Sequence, residues 1–334
     1  SGDHQNKPDI GSSIARRWID EDKVDVITDV PTSSVALAVN NIVKEKNAVF
    51  LNSGAGTSDL TNSQCSPNTI HWTYDTYMLA HGTGSALTKS GGKTWFFLTA
   101  DYAFGTALQR DTTAAVEAAG GTVIGSVKHP LNTSDFSSFL LQAQASKAEV
   151  IGLANAGGDT VNAIKQASEF GIVKGGQKLA ALLMFITDVH ALGLNAAQGL
   201  NLTTTFYWDL NDGTRAFSKR FQERMANKAM PTMVQAGVYS SLIHYFKTLD
   251  KLGENPHDGA KVVAAMKAMP VDDPLFGKGK IEPNGRNIHE AYLFEVKTPA
   301  ESKGPWDYFK LIATTPGNEA FTPLDKSTCS LLKK

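Results

Sequence analysis

The sequence VDVITDVPTSSVALAVNNIV, residues 24–43, decides the fold of this chain. Residues 24–30 are β-branched at nearly every other position and run into turn residues, which predicts a short buried strand. Residues 35–43 place apolar side chains on one face at helical spacing, so a helix begins near Thr32, Ser33 and Ser34. The first N–H groups of a helix have no internal partner, and the helix dipole is positive there. These three residues are therefore predicted either to hold the anionic group of a small ligand or only to cap the helix.

A second loop of small residues follows the next predicted strand, residues 47–52. It reads Ser53-Gly54-Ala55-Gly56-Thr57. Glycines let a ligand approach the backbone closely, and exposed N–H groups of such loops bind anions. We therefore expect the anionic group between the helix start at 32–34 and the backbone of Ala55, Gly56 and Thr57. The alternative is that the second loop is a plain flexible turn.

Strands and helices alternate through most of the chain, which predicts an α/β protein whose parallel sheets are covered by helices on both faces. In such sheets, ligands bind outside the carboxyl ends of the strands. Apolar strands with helices between them are predicted at residues 94–99, 122–127, 149–154, 179–185 and 200–206. Beyond them, the sequence predicts helices at residues 215–226, 232–252 and 259–269 and a hairpin at Asn284-Gly285.

Composition excludes several classes of protein. The chain has 334 residues, of which 42% are hydrophobic and 19% charged, as in a soluble globular protein of two domains. The formal net charge of −1 gives no general attraction to nucleic acid. No apolar run approaches the roughly 20 residues that span a bilayer. The start is polar, so a signal peptide either does not exist or precedes residue 1.

The sequence contains no recognisable catalytic or metal-binding motif. Asp188 and His190 lie close together, but after the strand at 179–185 we expect a short loop with a solvated Asp and a capping His. Cys65 and Cys329 are not spaced for a metal. They fit one disulfide in an exported protein or two thiols in a cytosolic protein.

Six segments carry a resemblance to a known family, namely residues 3–9, 30–34, 53–55, 101–105, 206–209 and 329–331. Taken together, they resemble the periplasmic solute-binding proteins of ATP-driven importers, in the branch typified by leucine/isoleucine/valine-binding proteins. More narrowly, the chain is similar to the subgroup linked to uptake of amides, urea and aromatic acids. The resemblance runs the whole length, and the order of the segments is more specific than any one of them.

This resemblance implies the type I periplasmic binding protein fold, in which two doubly wound parallel-sheet lobes are joined by a hinge of three crossings. Lobe 1 would comprise residues 1–77 and 206–290, and lobe 2 would comprise residues 78–205 and 291–334. Members of the family begin with a strand, a helix and a further strand before a segment like 3–9. Those first β-α-β elements are absent from this sequence.

The resemblance also implies a function. It predicts a non-enzymatic protein without a cofactor, which captures a small-molecule ligand and delivers it to the membrane permease of an ABC importer. We expect an exported, periplasmic monomer with its signal peptide removed, and no nucleic-acid partner. Export makes a disulfide between Cys65 and Cys329 the expected state. A ligand-sensing regulatory domain of the same fold is the alternative.

The ligand loops of the family define the predicted site. They fall on Thr32, Ser33, Ser34, Ser53, Ala55, Gly56, Thr57, Tyr74, Asp75, Tyr77, Tyr102, Phe104, Asn155, Ala156, Gly157, Thr187, Asp188, Tyr207 and Trp208. The six aromatic rings in this set favour stacking on another ring, which predicts an aromatic acid as the ligand. Thr187 stands nearest the position at which amino-acid binders carry a glutamate for the ammonium. Asp75 or Asp188 could still hold an ammonium or amide, so an amino acid, an amide or urea is the competing ligand.

Overall fold

The computed structural model describes residues 1–253 and 257–332. Two of its helices are joined by a π-helical turn at Ala80–Gly84, and three 3-10 turns lie at Ser58–Thr61, Leu324–Lys326 and Ser330–Leu332. The helices are α1 (Pro8–Asp20), α2 (Ser33–Lys46), α3 (Thr76–Leu79), α4 (Ser85–Lys89), α5 (Ala103–Ala118), α6 (Ser137–Ala145), α7 (Gly158–Glu169), α8 (Ile186–Leu192), α9 (Leu194–Ala197), α10 (Asp212–Arg224), α11 (Met233–Leu252), α12 (Gly259–Ala268) and α13 (Gly317–Ala320).

The strands form four sheets. They are β1 (Val26–Thr28), β2 (Val49–Asn52), β3 (Thr69–His71), β4 (Thr94–Ala100), β5 (Thr122–His129), β6 (Val150–Ala154), β7 (Lys178–Ala181), β8 (Asn201–Thr204), β9 (Val271–Asp273), β10 (Gly277–Ile281), β11 (Asn287–Ile288), β12 (Ala291–Val296) and β13 (Phe309–Thr315).

Sheets A and B carry the parallel strands. Sheet A has the order β1-β2-β3 and sheet B has the order β5-β4-β6-β7, with every neighbouring pair parallel. The central strand of sheet B, β4, is buried from Trp95 to Ala100, as a strand covered by helices on both faces requires. The alternating pattern therefore predicted the parallel sheets correctly.

Sheets C and D are antiparallel. Sheet C has the order β13-β12-β8, and sheet D has the order β11-β10-β9. The hairpin predicted at Asn284-Gly285 joins β10 and β11, with Gly285 at φ 89°, a backbone conformation that glycine adopts without steric cost.

Buried apolar side chains form separate cores for these sheets. One cluster lies between α1, α2 and sheet A and includes Val35, Val39 and Phe50. A second lies beneath sheets B and C, while the largest contains Trp72 and Trp95 and reaches the later helices α10, α11 and α12. Because the largest cluster contains side chains from both sheets, it packs sheet A against sheet B.

Two local predictions need correction. The predicted strand at 179–185 ends at Ala181, and the expected loop from Ile186 to Asp188 is the first turn of α8. Asp188 stabilises that turn because its Oδ2 accepts a hydrogen bond of 2.8 Å from the backbone N–H of Phe185. No strand was predicted at β3 (Thr69–His71), which has only three residues.

Candidate functional site

A cleft runs along the carboxyl ends of the strands in sheets A and B. It contains two connected cavities that share Tyr102 and Ala156 in their walls. The larger, which we call the aromatic chamber, has a volume of about 350 Å³. The other, the polar chamber, measures about 330 Å³. A small ligand at this edge can therefore contact the loops of both sheets at once.

Apolar and aromatic groups dominate the aromatic chamber. Among the described residues of its wall there is no Asp, Glu, Lys, Arg or His. The wall consists of Pro31, Gly54, Tyr74, Tyr102, Phe104, Ala156, Gly157, Leu183, Phe185, Thr187, Thr232, Val234 and Gln235. A charged ligand group in this chamber would have to be compensated by backbone or neutral donors.

The polar chamber has one acidic side chain in its wall, Asp159. The wall consists of Asn6, Thr32, Tyr102, Leu131, Asn132, Thr133, Ser134, Ala156, Gly158, Asp159 and Asn162. Asp159 is 7% exposed, and burial raises the pKa of its carboxyl. Its Oδ2 accepts a 3.2 Å hydrogen bond from the Asn132 backbone N–H. This bond holds the loop after β5 in place.

Three long helices begin at the cleft without a side-chain cap. In the parts of the chain that the structure describes, no side chain caps α2 after Thr32, α5 after Tyr102 or α7 after Gly157. Their first backbone N–H groups and the positive ends of their dipoles are therefore available to an anion. Because the described wall of the aromatic chamber contains no Lys, Arg or His, such helix starts are the groups there that can favour an anion.

Close packing at two glycines fixes the aromatic wall. A Cβ on Gly105 would come within 2.0 Å of the Ala100 carbonyl oxygen, so only glycine lets α5 start this close to β4. A Cβ on Gly56 would lie 2.7 Å from the ring of Phe104 and 2.9 Å from that of Tyr74. The second loop thus supports the two rings from behind.

The structure brings part of the predicted site together in the chamber walls. These residues are Thr32, Tyr74, Tyr102, Phe104, Ala156, Gly157 and Thr187. Seven others lie buried behind the walls, namely Ser33, Ser53, Ala55, Gly56, Thr57, Asp75 and Asn155. The remaining five, Ser34, Tyr77, Asp188, Tyr207 and Trp208, line neither chamber.

Two N–H groups of the second loop have internal partners. The N–H of Ala55 donates to Asn52 Oδ1 at 3.2 Å, and that of Thr57 donates to Ser33 Oγ at 3.2 Å. Gly54, one residue earlier, forms the chamber wall instead. In this structure the loop therefore shapes the chamber and does not point these two donors into it.

Asp75 belongs to a buried ion pair. Its Oδ2 lies 3.5 Å from Nη1 of Arg286, and both side chains are about 2% exposed or less. Burial raises the pKa of Asp75 to about 6 despite the nearby guanidinium, and it lowers the pKa of Arg286 to about 10. Arg286 also lies over the ring of Phe321, with Cζ 4.2 Å from its centroid. The carboxylate of Asp75 thus pairs with Arg286 and is not free to bind a ligand.

The remaining predicted residues also have structural roles. Tyr207 is 6% exposed, packs on Phe294 and Phe309, and donates to the Trp306 carbonyl oxygen, as does the indole of Trp208. Tyr77 stacks on His81 with ring centroids 3.8 Å apart. Asp188 caps α8, and burial raises its pKa to about 6.

A polar network ties the turn after the second loop to α5. The carboxylate of Asp111 accepts hydrogen bonds from Ser58 Oγ at 2.7 Å and from Thr76 Oγ1 at 2.5 Å. Arg110 pairs with Asp59 at 3.0 Å. We call these five residues the α5 clasp, because they join an element of sheet B to the 3-10 turn between β2 and β3.

Sequence reasoning missed the start of α11 in the chamber wall. Thr232, Val234 and Gln235 lie there, 45 residues or more beyond the rest of the wall in sequence. Thr232 and Gln235 form a capping box, whose Thr-x-x-Gln pattern was visible in the sequence. That signal locates the helix start, but it does not show that the helix start faces the cleft.

The predicted disulfide is present. Cys65 and Cys329 are bonded, with their Cα atoms 5.6 Å apart and 264 residues between them in sequence. A further cavity of about 380 Å³ lies at the amino ends of β7 and β8, near Val173 and Leu200, and contains none of the predicted site residues. In the described ranges, no helix is both long and apolar enough to cross a membrane, and no cluster of His, Cys, Asp and Glu is arranged for a metal.

Residues 1–305 match the model of the periplasmic binding protein family, and the chain belongs to that family. A periplasmic binding protein from Burkholderia mallei is 54% identical, with a TM-score of 0.96 over 99% of this chain and 87% of that chain. A branched chain amino acid ABC transporter periplasmic ligand-binding protein from Burkholderia xenovorans LB400 is 39% identical, with a TM-score of 0.86 over 100% and 88%.

More distant relatives share the fold. Leu/Ile/Val-binding protein homolog 6 of Brucella melitensis is 26% identical over 299 residues, which cover 87% of this chain and 75% of that protein. A solute-binding protein of an ABC transporter from R. palustris, in complex with benzoate, is 21% identical, with a TM-score of 0.85 over 98% and 87%. The fold is that of the type I periplasmic binding proteins, as the resemblance predicted, and these are solute-binding proteins and not enzymes.

Proposed function

We propose that this protein captures a small aromatic carboxylic acid in the aromatic chamber and delivers it to the membrane permease of an ABC importer. The observation that carries the proposal is the composition of the chamber wall: four aromatic side chains and no acidic side chain among its described residues. A flat apolar ring gains from contact with Tyr74, Tyr102, Phe104 and Phe185. The protein acts in the periplasm in this proposal, and the disulfide agrees with that because disulfides persist in oxidising compartments.

The two lobes of this proposal follow the sheets. Lobe 1 comprises residues 1–77 and 206–290, with sheets A and D, and lobe 2 comprises 78–205 and 291–334, with sheets B and C. Three crossings join them, after β3, after β8 and between β11 and β12. Because the chamber is lined from both sides, ligand contacts with both lobes would favour their closed arrangement.

The carboxylate is held by backbone donors in this proposal. The uncapped starts of α5 and α7 lie beside the wall that the two chambers share, which contains Tyr102 and Ala156; Gly157, before α7, lines the aromatic chamber. The uncapped start of α2 lies at Thr32, in the wall of the polar chamber. An anion there compensates free N–H groups and favourable dipoles without needing a lysine or arginine.

A ligand with an ammonium group fits the aromatic chamber less well. Asp75 faces Arg286, and Asp188 is engaged by the Phe185 N–H. One observation favours an amino acid all the same, since Asp159 stands in the wall of the adjoining polar chamber. The relative from B. xenovorans carries a branched-chain amino acid description, so leucine is the competing ligand.

Isothermal titration calorimetry with benzoate, cinnamate, leucine, acetamide and urea tests the proposal. We expect benzoate or cinnamate to bind more tightly than the other three. Phe185→Ala removes one ring from the wall and should weaken acid binding about two- to tenfold, the contribution of one aromatic pair. The matched control is Phe170→Ala at the far end of α7, which is 41% exposed and outside both chambers. Binding of leucine or an amide without any binding of an aromatic acid would contradict the aromatic ligand.

A further inference from the structure

The side chain of Gln235 is held in one orientation at the edge of the aromatic chamber. Its Oε1 accepts two hydrogen bonds from Thr232, one from the backbone N–H at 2.9 Å and one from Oγ1 at 2.5 Å. These contacts close the capping box at the start of α11. Because the Thr232 backbone N–H can only donate, the amide group cannot exchange the positions of its oxygen and nitrogen without losing that bond.

This orientation leaves the amide nitrogen without a partner. Among the described residues, no acceptor bonds to Nε2 of Gln235, although the side chain lies in the chamber wall and is exposed. Tyr74, the neighbouring phenol, already donates to the Gly54 carbonyl oxygen at 2.7 Å. Gln235 Nε2 is thus an oriented neutral donor in a wall that otherwise offers mostly apolar surface.

We propose that Gln235 determines ligand specificity by donating a hydrogen bond from Nε2 to an oxygen of the bound molecule. The inference rests on the proposed function and adds a requirement to it, namely that the ligand presents an acceptor oxygen to lobe 1. That oxygen belongs either to the carboxylate or to an ether or hydroxyl substituent on the ring. Both sources share one chemistry, a lone pair that meets an N–H donor.

Gln235→Glu removes the proposed hydrogen bond to the ligand and keeps the capping box of α11. Glutamate at this position keeps the capping box, because Thr-x-x-Glu is as good a pattern as Thr-x-x-Gln. It replaces the donor by a carboxylate oxygen, which repels an acceptor. We expect the melting temperature to stay within about 2 °C of the wild type, since the cap persists. The affinity for a ligand whose oxygen meets Nε2 should fall by about 10- to 100-fold.

Calorimetry of the whole chain with benzoate, 4-methoxybenzoate and leucine distinguishes the sources. If the carboxylate meets Nε2, the variant loses affinity for every probe that the wild type binds. If a ring oxygen does, Gln235→Met loses affinity for 4-methoxybenzoate alone; this variant decides the point because the added charge of Gln235→Glu repels every carboxylate probe. Gln142→Glu, an exposed glutamine on α6 outside both chambers, makes the same charge change and should leave binding unaltered. Gln235→Met, which keeps the length and removes the donor without adding charge, should also weaken binding.

The same titrations distinguish a failure of the Gln235 contact from a failure of the proposed aromatic ligand. Wild-type binding of leucine but not of the aromatic acids contradicts the proposed ligand, while the loss of leucine binding in Gln235→Glu still supports the contact. Equal affinities of wild type and Gln235→Glu for each probe that binds would overturn the inference and leave Gln235 as a cap alone. A wild type that binds none of the three probes overturns both.

Discussion

Removing Arg286 should destabilise the protein far more than removing an exposed cation. Arg286→Met keeps most of the side-chain volume but leaves the carboxylate of Asp75 buried without its counter-charge. Deleting one partner of a buried pair costs about 3–5 kcal/mol. We expect the lower end, about 3 kcal/mol, because the 3.5 Å contact carries no aligned hydrogen bond between the two side chains.

Thermal unfolding at pH 7.5 measures this loss. For a chain of this size, about 3 kcal/mol corresponds to a melting temperature lowered by roughly 4 °C. The double variant Asp75→Asn with Arg286→Met removes both charges, so it should lose less than the sum of the single variants. Lys280→Met, which breaks an exposed pair with Glu282, is the matched control and should cost about 0–1 kcal/mol. A melting temperature of Arg286→Met equal to that of the control would refute the buried-pair reasoning.

Three further predictions concern stability. Asp111→Ala removes the acceptor of two hydroxyl groups in the α5 clasp and should cost about 1–3 kcal/mol in denaturant unfolding; a cost below that of an exposed substitution would contradict it. Replacing Cys65 and Cys329 by serine should cost about 2–5 kcal/mol, and thiol titration of the unreduced, denatured wild type should find no free thiol. Burial raises the folded-state pKa of Asp188 from its ordinary value of 3.8 to about 6, so its contribution to stability is present below pH 3.8 and is lost as pH rises through 6. The melting temperature of Asp188→Asn should therefore rise relative to that of the wild type as the pH is raised from 4.5 to 7.5. A difference between the two melting temperatures that does not change with pH would argue against the raised pKa of Asp188.

Local patterns predicted the parallel sheets because each strand and each helix can be identified from the spacing of apolar residues within a short stretch of sequence. The strand at 24–30, the helix start at Ser33 and the Asn284-Gly285 hairpin all appear in the structure. The three-residue strand β3 escaped because it is too short to show a period. Ile186–Asp188 was misread because a side chain, Asp188, turns those residues into the start of a helix.

The candidate site was harder to predict because it depends on tertiary contacts. An aromatic residue after a strand can face the cleft, as Tyr102 does, or pack inward, as Tyr207 does against Phe294. Sequence does not distinguish these cases, since both satisfy the same apolar preference. Likewise, the capping pattern at Thr232 and Gln235 reveals a helix start, but only the packing of α11 brings that start to the chamber.

The most direct test of the central claim is a crystal structure of the protein with the aromatic acid that binds most tightly in calorimetry. We expect the ring to lie between Tyr74, Tyr102, Phe104 and Phe185, in the aromatic chamber. We expect the carboxylate to lie at the uncapped helix starts, within hydrogen-bond distance of their backbone N–H groups. A ligand bound outside the chamber, or a carboxylate turned away from all of these helix starts, would contradict the proposed site.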